Sequence, residues 1–248
     1  MSNVLTALAD GQLLAEKTGS TPPRVVALHG WGRTGTDFSA IVAGLDALAI
    51  HLPGFGITPE PPTAWGSEDY ADHVAAALSG FGPVVVAGHS FGGRVAVRLA
   101  AKYPARVSGL VLTGVPLLRL GAAPKTAVGF RVARALAKAG IVSQKRLERL
   151  RRRYGSVDYL AVQGVMRDTL VRVIGEEYGA DLAKLACPVR MVWGELDTAA
   201  PADAGRVASE LVTGARFRQI PGAGHLLEGE LAIAVREELL ALVSEVAP

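Results

Sequence analysis

The chain has little of what builds disulfide frameworks, metal clusters or nucleotide sites. Cys187 is its one cysteine, which excludes a disulfide framework and a cysteine-rich metal site. The five histidines are scattered without the spacing of metal ligands, and no glycine-rich phosphate loop of the Walker or dinucleotide type is present. We therefore expect neither a metal ion nor a cofactor.

Long apolar runs and targeting signals are missing as well. No uninterrupted apolar stretch could cross a bilayer, and the N-terminus lacks the basic region and apolar segment of a signal peptide. Aromatic residues make up only 6% of the chain, and its most basic segment is poor in them, whereas nucleic-acid binding would need both together. We expect a soluble, cytoplasmic protein with no membrane span and no nucleic-acid partner.

The chain does have enough apolar sequence for a large core. Half of its 248 residues are hydrophobic, which suits a single α/β domain with an insertion. Asp10-Gly11 predicts an antiparallel hairpin, and beyond it strands that are apolar throughout alternate with helices, as in a doubly wound, mostly parallel sheet. We predict about eight strands in such a sheet. After the hairpin, strands are predicted at 24–29, 48–52, from Val84, at 107–113, 189–193 and 216–220, and helices from near Asp37, from Ser67, over 91–103 and over 228–242.

The alternation of strands and helices stops at Pro116. From there to about Leu185 only helical patterns follow, over 125–139, 144–154 and 157–174. We predict a core formed by 1–114 and 186–248, with a helical lid inserted at 115–185. The lid segment holds fourteen lysines and arginines against six acidic residues. This basic surface is either a solvated face or a docking site for an anionic partner or substrate, such as an acyl carrier.

The most informative motif is Gly-x-Ser-x-Gly, formed by Gly88, Ser90 and Gly92. It follows an apolar β-branched run and opens a helical pattern, which is the context of a nucleophile elbow. The glycines leave space for neighbouring backbone in so tight a turn, and the helix N-terminus favours developing negative charge. The alternative is a glycine-rich turn that carries an idle serine.

A serine nucleophile needs a base and a carboxylate that orients the base. On this type of sheet the chain order is Ser, Asp or Glu, then His, each at a strand's C-terminal edge. His225 follows the last predicted strand, and Asp197 follows the strand before it. Singly, His225 would read as a loop histidine and Asp197 as a turn residue, but together they predict the triad Ser90, Asp197 and His225. Glu195 is the rival acid in the same loop; we favour Asp197 because it lies further from the strand.

A tetrahedral intermediate also needs two main-chain N–H donors for its oxyanion. We predict that Phe91, directly after the serine, and Trp31, in the loop after the first parallel strand, supply them. His29 is predicted to brace that loop rather than to take part in the chemistry.

Over nearly its whole length the chain resembles serine hydrolases of the α/β-hydrolase fold. The matching motifs are His29-Gly-Trp-Gly32, Leu52-Pro-Gly-Phe-Gly56, 88–93, Trp193-Gly-Glu-Leu-Asp197 and Gly222-Ala-Gly-His225. One departure is His51, where the family usually has a structural aspartate. The resemblance implies cleavage of a small-molecule carboxylic ester or thioester through an acyl-enzyme. Serine at the nucleophile position argues against the haloalkane dehalogenases and epoxide hydrolases, which use aspartate.

Members of this superfamily leave other functions open. The methyl-ester carboxylesterases of biotin synthesis share the His-Gly-Trp-Gly pattern and use lid arginines to receive an acyl-carrier protein. The cofactor-free lyase of menaquinone synthesis has an arginine where this chain has Arg94 and binds an anionic substrate with it. Some hormone receptors keep the fold as ligand-binding modules with low turnover. An esterase, a lyase on the same triad and a receptor therefore remain the hypotheses.

Overall fold

A computed structural model of the protein describes residues 4–120 and 157–247. Eight strands form one sheet in the order β1-β2-β4-β3-β5-β6-β7-β8. The pairs β1–β2 and β2–β4 are antiparallel and the other pairs are parallel. The antiparallel hairpin and the mostly parallel sheet were predicted. The strands are β1 (Val4–Leu8), β2 (Leu13–Thr18), β3 (Val25–Leu28), β4 (Ala47–His51), β5 (Val84–His89), β6 (Val107–Thr113), β7 (Val189–Gly194) and β8 (Arg216–Ile220).

Helices cover both faces of this sheet. The described helices are α1 (Ser67–Ala77), α2 (Phe91–Lys102), α3 (Val157–Ala161), α4 (Gly164–Ile174), α5 (Gly179–Leu182), α6 (Ala202–Glu210) and α7 (Gly229–Glu245). Successive residues of β5 point to opposite faces, so Val86 packs in the cluster with α1 and α2, while Val85 packs in the cluster with α7. The central strands β3 and β5 are buried on both faces, which explains why their apolar residues do not alternate with polar ones.

Two of the predicted helices differ in the structure. The prediction of a helix near Asp37 is wrong, because Gly35–Phe38 forms only a short 3-10 helix. The chain turns back to β4 soon afterwards, and Gly44 adopts a φ of +80° there, which an α-helix cannot contain.

The helix predicted over 157–174 is split into α3 and α4. Gln163 is extended, with φ −134° and ψ 175°, and Gly164 has a φ of +53°. These two residues interrupt the helical hydrogen bonding, and glycine makes the positive φ possible. The helices predicted over 125–139 and 144–154 lie outside the described residues, so the lid and its bounds stay predictions.

In the described part of the chain, no helix combines the length and apolarity that a membrane span requires. Within the same residues, no group of three or more His, Cys, Asp or Glu side chains could hold a metal ion.

Candidate active site

Ser90 lies at the sharp turn between β5 and α2. Its backbone has φ +50° and ψ −112°, a strained conformation for a residue with a side chain. The Ser90 N–H donates to the Thr113 carbonyl at 3.0 Å, which ties the turn to the end of β6. A Cβ atom on Gly88 would lie 2.6 Å from Gly93 Cα, and one on Gly92 would collide with the Leu28 carbonyl. The turn therefore requires glycine on both sides of the serine.

His225 and Asp197 come from two loops and meet at the same edge of the sheet. His225 Nδ1 lies 2.7 Å from Asp197 Oδ2, and the Asp197 side chain is only 1% exposed. Asp197 Oδ1 accepts the N–H groups of Ala199 and Ala200 at 2.9 and 2.8 Å. The carboxylate is thus held in one orientation, with its second oxygen directed at His225. As the donor in this pair, Nδ1 carries a proton, which leaves Nε2 free to accept one.

Glu195, the rival acid, is exposed and is engaged elsewhere. Its Oε2 accepts the Gly222 N–H at 2.8 Å. Glu195 therefore supports the start of the loop that carries His225, while Asp197 contacts the imidazole itself.

A cavity of about 350 Å³ contains both Ser90 and His225 in its lining. Trp31 and Phe91, the two predicted oxyanion donors, line it as well. Leu170 and Val173 of α4 are also part of the wall, beside Arg33, Arg94, Pro116, Ala199 and Leu226. The segment between β6 and β7 thus helps to enclose the space in front of the serine. A smaller cavity of about 230 Å³ lies between β8 and α7 and contains none of the predicted site residues.

The two predicted oxyanion donors are main-chain N–H groups at the cavity that contains Ser90. The N–H groups of Trp31 and Phe91 have no acceptor among the described residues, and Phe91 begins α2. A helix N-terminus with free N–H groups attracts negative charge. The Trp31 ring packs edge-on against Phe55 and Phe91, with centroids 4.9 and 5.2 Å apart, so the loop that carries this donor is held in place.

His29 braces the same loop. Its Nε2 accepts the Leu52 N–H at 3.0 Å, so its Nδ1 carries the proton and donates to the Gly30 carbonyl at 2.7 Å. Burial lowers the pKa of His29 to about 4. The ring is therefore neutral at pH 7 and joins the end of β3 to the end of β4.

The fold agrees with comparisons to known proteins. A model of the alpha/beta hydrolase family matches residues 25–237. The chain belongs to that family. A pimeloyl-(acyl-carrier protein) methyl ester esterase from Chromobacterium violaceum is 29% identical over 242 residues, covering 86% of this chain and 91% of that protein. Lipase LipV from Mycobacterium tuberculosis is 40% identical over 98 residues, 38% of this chain and 37% of that protein. A thermophilic esterase from Thermogutta terrifontis has the same fold, with a TM-score of 0.71, 22% identity and 100% of both chains covered.

His51 departs from the usual alpha/beta hydrolase pattern without leaving a polar group unpaired. Its Nδ1 faces the Gly35 N–H at 3.4 Å, and its Nε2 lies 3.3 Å from Glu16 Oε1. The imidazole nitrogen accepts the main-chain N–H, which a carboxylate could also do. His51 does not line the cavity that contains Ser90.

Arg94 lies on α2 with its side chain in the cavity wall. Its guanidinium donates to the carbonyls of Val173 at 2.8 Å and Pro116 at 3.2 Å. Burial lowers the pKa of Arg94, and among the described residues it forms no ion pair with a carboxylate. The Tyr178 ring, whose centroid lies 5.5 Å from the guanidinium carbon, and the charge of Glu176 favour the cation and offset part of the hydration that it loses on burial.

His89, which the sequence analysis left without a role, also lines the cavity. The sequence could have pointed to His89 through its place directly before Ser90, because the residue before the proposed nucleophile ends a central strand and lies beside the site.

Proposed function

We propose that this alpha/beta hydrolase is a serine esterase that cleaves a carboxylic ester or thioester through an acyl-enzyme. One observation carries the proposal: His225 is held by Asp197 at 2.7 Å and lines the same cavity as Ser90. A nucleophile, a base and an orienting acid in contact with one cavity suit acyl transfer.

In the proposed mechanism, His225 Nε2 takes the Ser90 hydroxyl proton while Oγ attacks the ester carbonyl. The resulting oxyanion accepts the N–H groups of Trp31 and Phe91. Collapse of the intermediate expels the alcohol or thiol, which His225 protonates. His225 then deprotonates a water molecule that attacks the acyl-enzyme, and the free acid and the serine hydroxyl are released. Asp197 stabilises the imidazolium that forms in each half-reaction.

The relatives support ester chemistry. The Chromobacterium violaceum protein is named as an esterase of an acyl-carrier-protein methyl ester, and its match spans most of both chains. We propose by analogy that the basic lid segment receives an anionic carrier. The arginine trio formed by Arg149, Arg152 and Arg153 is our candidate contact, because clustered cations attract an acidic surface over a distance.

Arg94 favours a second candidate, a cofactor-free lyase that acts on an anionic substrate at the same triad. A substrate carboxylate could pair directly with this guanidinium, which forms no ion pair among the described residues. The two reactions differ in their use of water. Hydrolysis in H₂¹⁸O places one ¹⁸O atom in the released acid, whereas elimination yields an unsaturated product without the label.

The triad is tested by single and double substitution with p-nitrophenyl esters of different chain length as substrates. Ser90→Ala and His225→Ala should each lower kcat by about 10³-fold or more, and the double variant should be scarcely worse, because the two side chains act as a unit. Losses that multiply would contradict the triad. A wild-type protein that labels with a phosphonate at Ser90 yet turns over none of the esters would contradict the esterase and leave the lyase and a ligand-binding receptor.

A further inference from the structure

His89 is a buried histidine next to the proposed nucleophile, and the proposed mechanism does not use it. It is the last residue of β5 and is 2% exposed. Burial and the neighbouring His225 lower the pKa of His89 to about 4. At pH 7 the ring is therefore neutral, with one nitrogen that donates and one that accepts.

The donor nitrogen of His89 is directed at the main chain of His225. His89 Nε2 lies 2.9 Å from the His225 carbonyl oxygen. Because a carbonyl only accepts, Nε2 carries the proton. The other nitrogen, Nδ1, is buried without a partner within 4–120 and 157–247. The two imidazole rings are also in contact, with centroids 4.8 Å apart and planes inclined by 47°.

The loop that carries His225 is held at its start, where the Gly222 N–H donates to Glu195 and the Ala223 carbonyl accepts the Leu196 N–H at 2.8 Å, but neither contact involves His225 itself. The loop runs from the end of β8 to the start of α7 without regular structure, and Gly222 within it has a φ of +68°. Asp197 holds one nitrogen of the His225 ring, which fixes neither the backbone nor the distance from the ring to Ser90. In the described part of the chain, the partner of the His225 main chain is His89.

We infer that His89 is a positioning residue, which sets the place of His225 relative to Ser90 through its hydrogen bond to the His225 carbonyl and its ring contact. The inference rests on the proposed function. His89 and Ser90 are consecutive residues at the end of one central strand, so the same rigid backbone carries the nucleophile and the support of the base. A neutral ring at this position also leaves the imidazolium of His225 without a neighbouring cation to repel it.

The inference is tested with two variants that differ in one property. His89→Gln places an amide N–H close to the position of Nε2 and keeps the donor, whereas His89→Phe fills the volume of the ring and has no donor. On a p-nitrophenyl ester, His89→Phe should lower kcat by about 10²-fold with little change in KM, because a base misplaced by about 1 Å costs that much. His89→Gln should retain kcat within about threefold.

A second readout does not depend on turnover. The Nδ1 proton that His225 shares with Asp197 should give a downfield proton resonance in the wild type and in His89→Gln, and this resonance should be broadened or lost in His89→Phe. Asp197→Asn identifies the signal. If His89→Phe does not fold, His89→Asn replaces it, since its shorter side chain does not reach the His225 carbonyl.

The outcomes separate this inference from the proposed function. A folded His89→Phe with wild-type kcat and an unchanged resonance would overturn the role of His89. Equal losses in His89→Gln and His89→Phe would show that the hydrogen bond is not what matters and would overturn it too. Full activity in Ser90→Ala would instead contradict the serine mechanism, while the resonance would still report whether His89 positions His225.

Discussion

The sharpest prediction concerns Asp197→Asn. In the protein, Asp197 Oδ1 accepts the N–H groups of Ala199 and Ala200 at 2.9 and 2.8 Å. The oxygen of an asparagine amide has to stay at that position, because an NH₂ group cannot face two N–H donors. The NH₂ group is then directed at His225 Nδ1, which must accept, and the ring proton moves to Nε2.

This tautomer cannot take the proton of Ser90, because Nε2 already carries one. A reversed tautomer in a serine triad lowers kcat by about 10⁴-fold, which corresponds to about 5.4 kcal/mol of transition-state stabilisation. We therefore expect a loss between about 10³- and 10⁴-fold in kcat for Asp197→Asn. The volume of the side chain is unchanged, so the protein should remain folded.

Glu195→Gln is the matched control, since it makes the same chemical change two residues away in the same loop. Its amide oxygen can still accept the Gly222 N–H, and the side chain is exposed, so kcat should stay within about threefold. Both variants are measured with one p-nitrophenyl ester, and their Tm is compared with that of the wild type. The reasoning fails if Asp197→Asn keeps its activity, or if Glu195→Gln loses more.

Three other predictions concern stability and the predicted lid. Gly92→Ala should destabilise the protein by about 1–3 kcal/mol in urea unfolding, because the added methyl group collides with the backbone. Gly80→Ala is the control: a Cβ atom there meets no atom within 4 Å, so the loss should be far smaller. Equal losses would argue against the steric reason. The pKa values of His29 and His89 are about 4 in the folded protein against an ordinary 6.5, so the unfolded chain binds protons at a higher pH than the folded chain does. The free energy of unfolding should therefore keep its full value above pH 6.5 and fall by about 3 kcal/mol per histidine as the pH is lowered towards 4. An unfolding free energy that stays level from pH 7 to 4.5 would contradict the buried neutral rings. Charge reversal of the arginine trio should raise KM for an acyl-carrier-protein ester and weaken the dependence of that KM on salt, while neutral esters react as before. Equal effects on both substrates would contradict carrier docking and assign the trio to the stability of the predicted lid.

Much of the fold could be predicted because it depends on local pattern. The bounds of β6 and β8 agree with the predicted strands. For β6 the reason is that an apolar run bounded by turn residues has few alternatives in a parallel sheet; β8 is the edge strand, and its polar residues alternate with apolar ones. The elbow at Ser90 was predictable for a similar reason: only glycine on both sides allows its backbone to make the turn. The two wrong helices lie where a glycine with positive φ, Gly44 or Gly164, interrupts a helical pattern.

The site divides differently between sequence and tertiary structure. The sequence alone indicated that a serine, two candidate acids and a histidine follow three parallel strands, whose carboxyl ends lie at one edge of the sheet. The sequence favoured Asp197 over Glu195 by its place in the loop, but only tertiary structure brought its carboxylate to His225. Tertiary structure alone directed Arg94 into the cavity and joined His89 to the loop of His225. Each of these depends on where a side chain points from an irregular loop or on a partner far along the chain, as His89 is from His225. No local pattern encodes that direction, because it follows from the backbone angles and contacts of the folded chain.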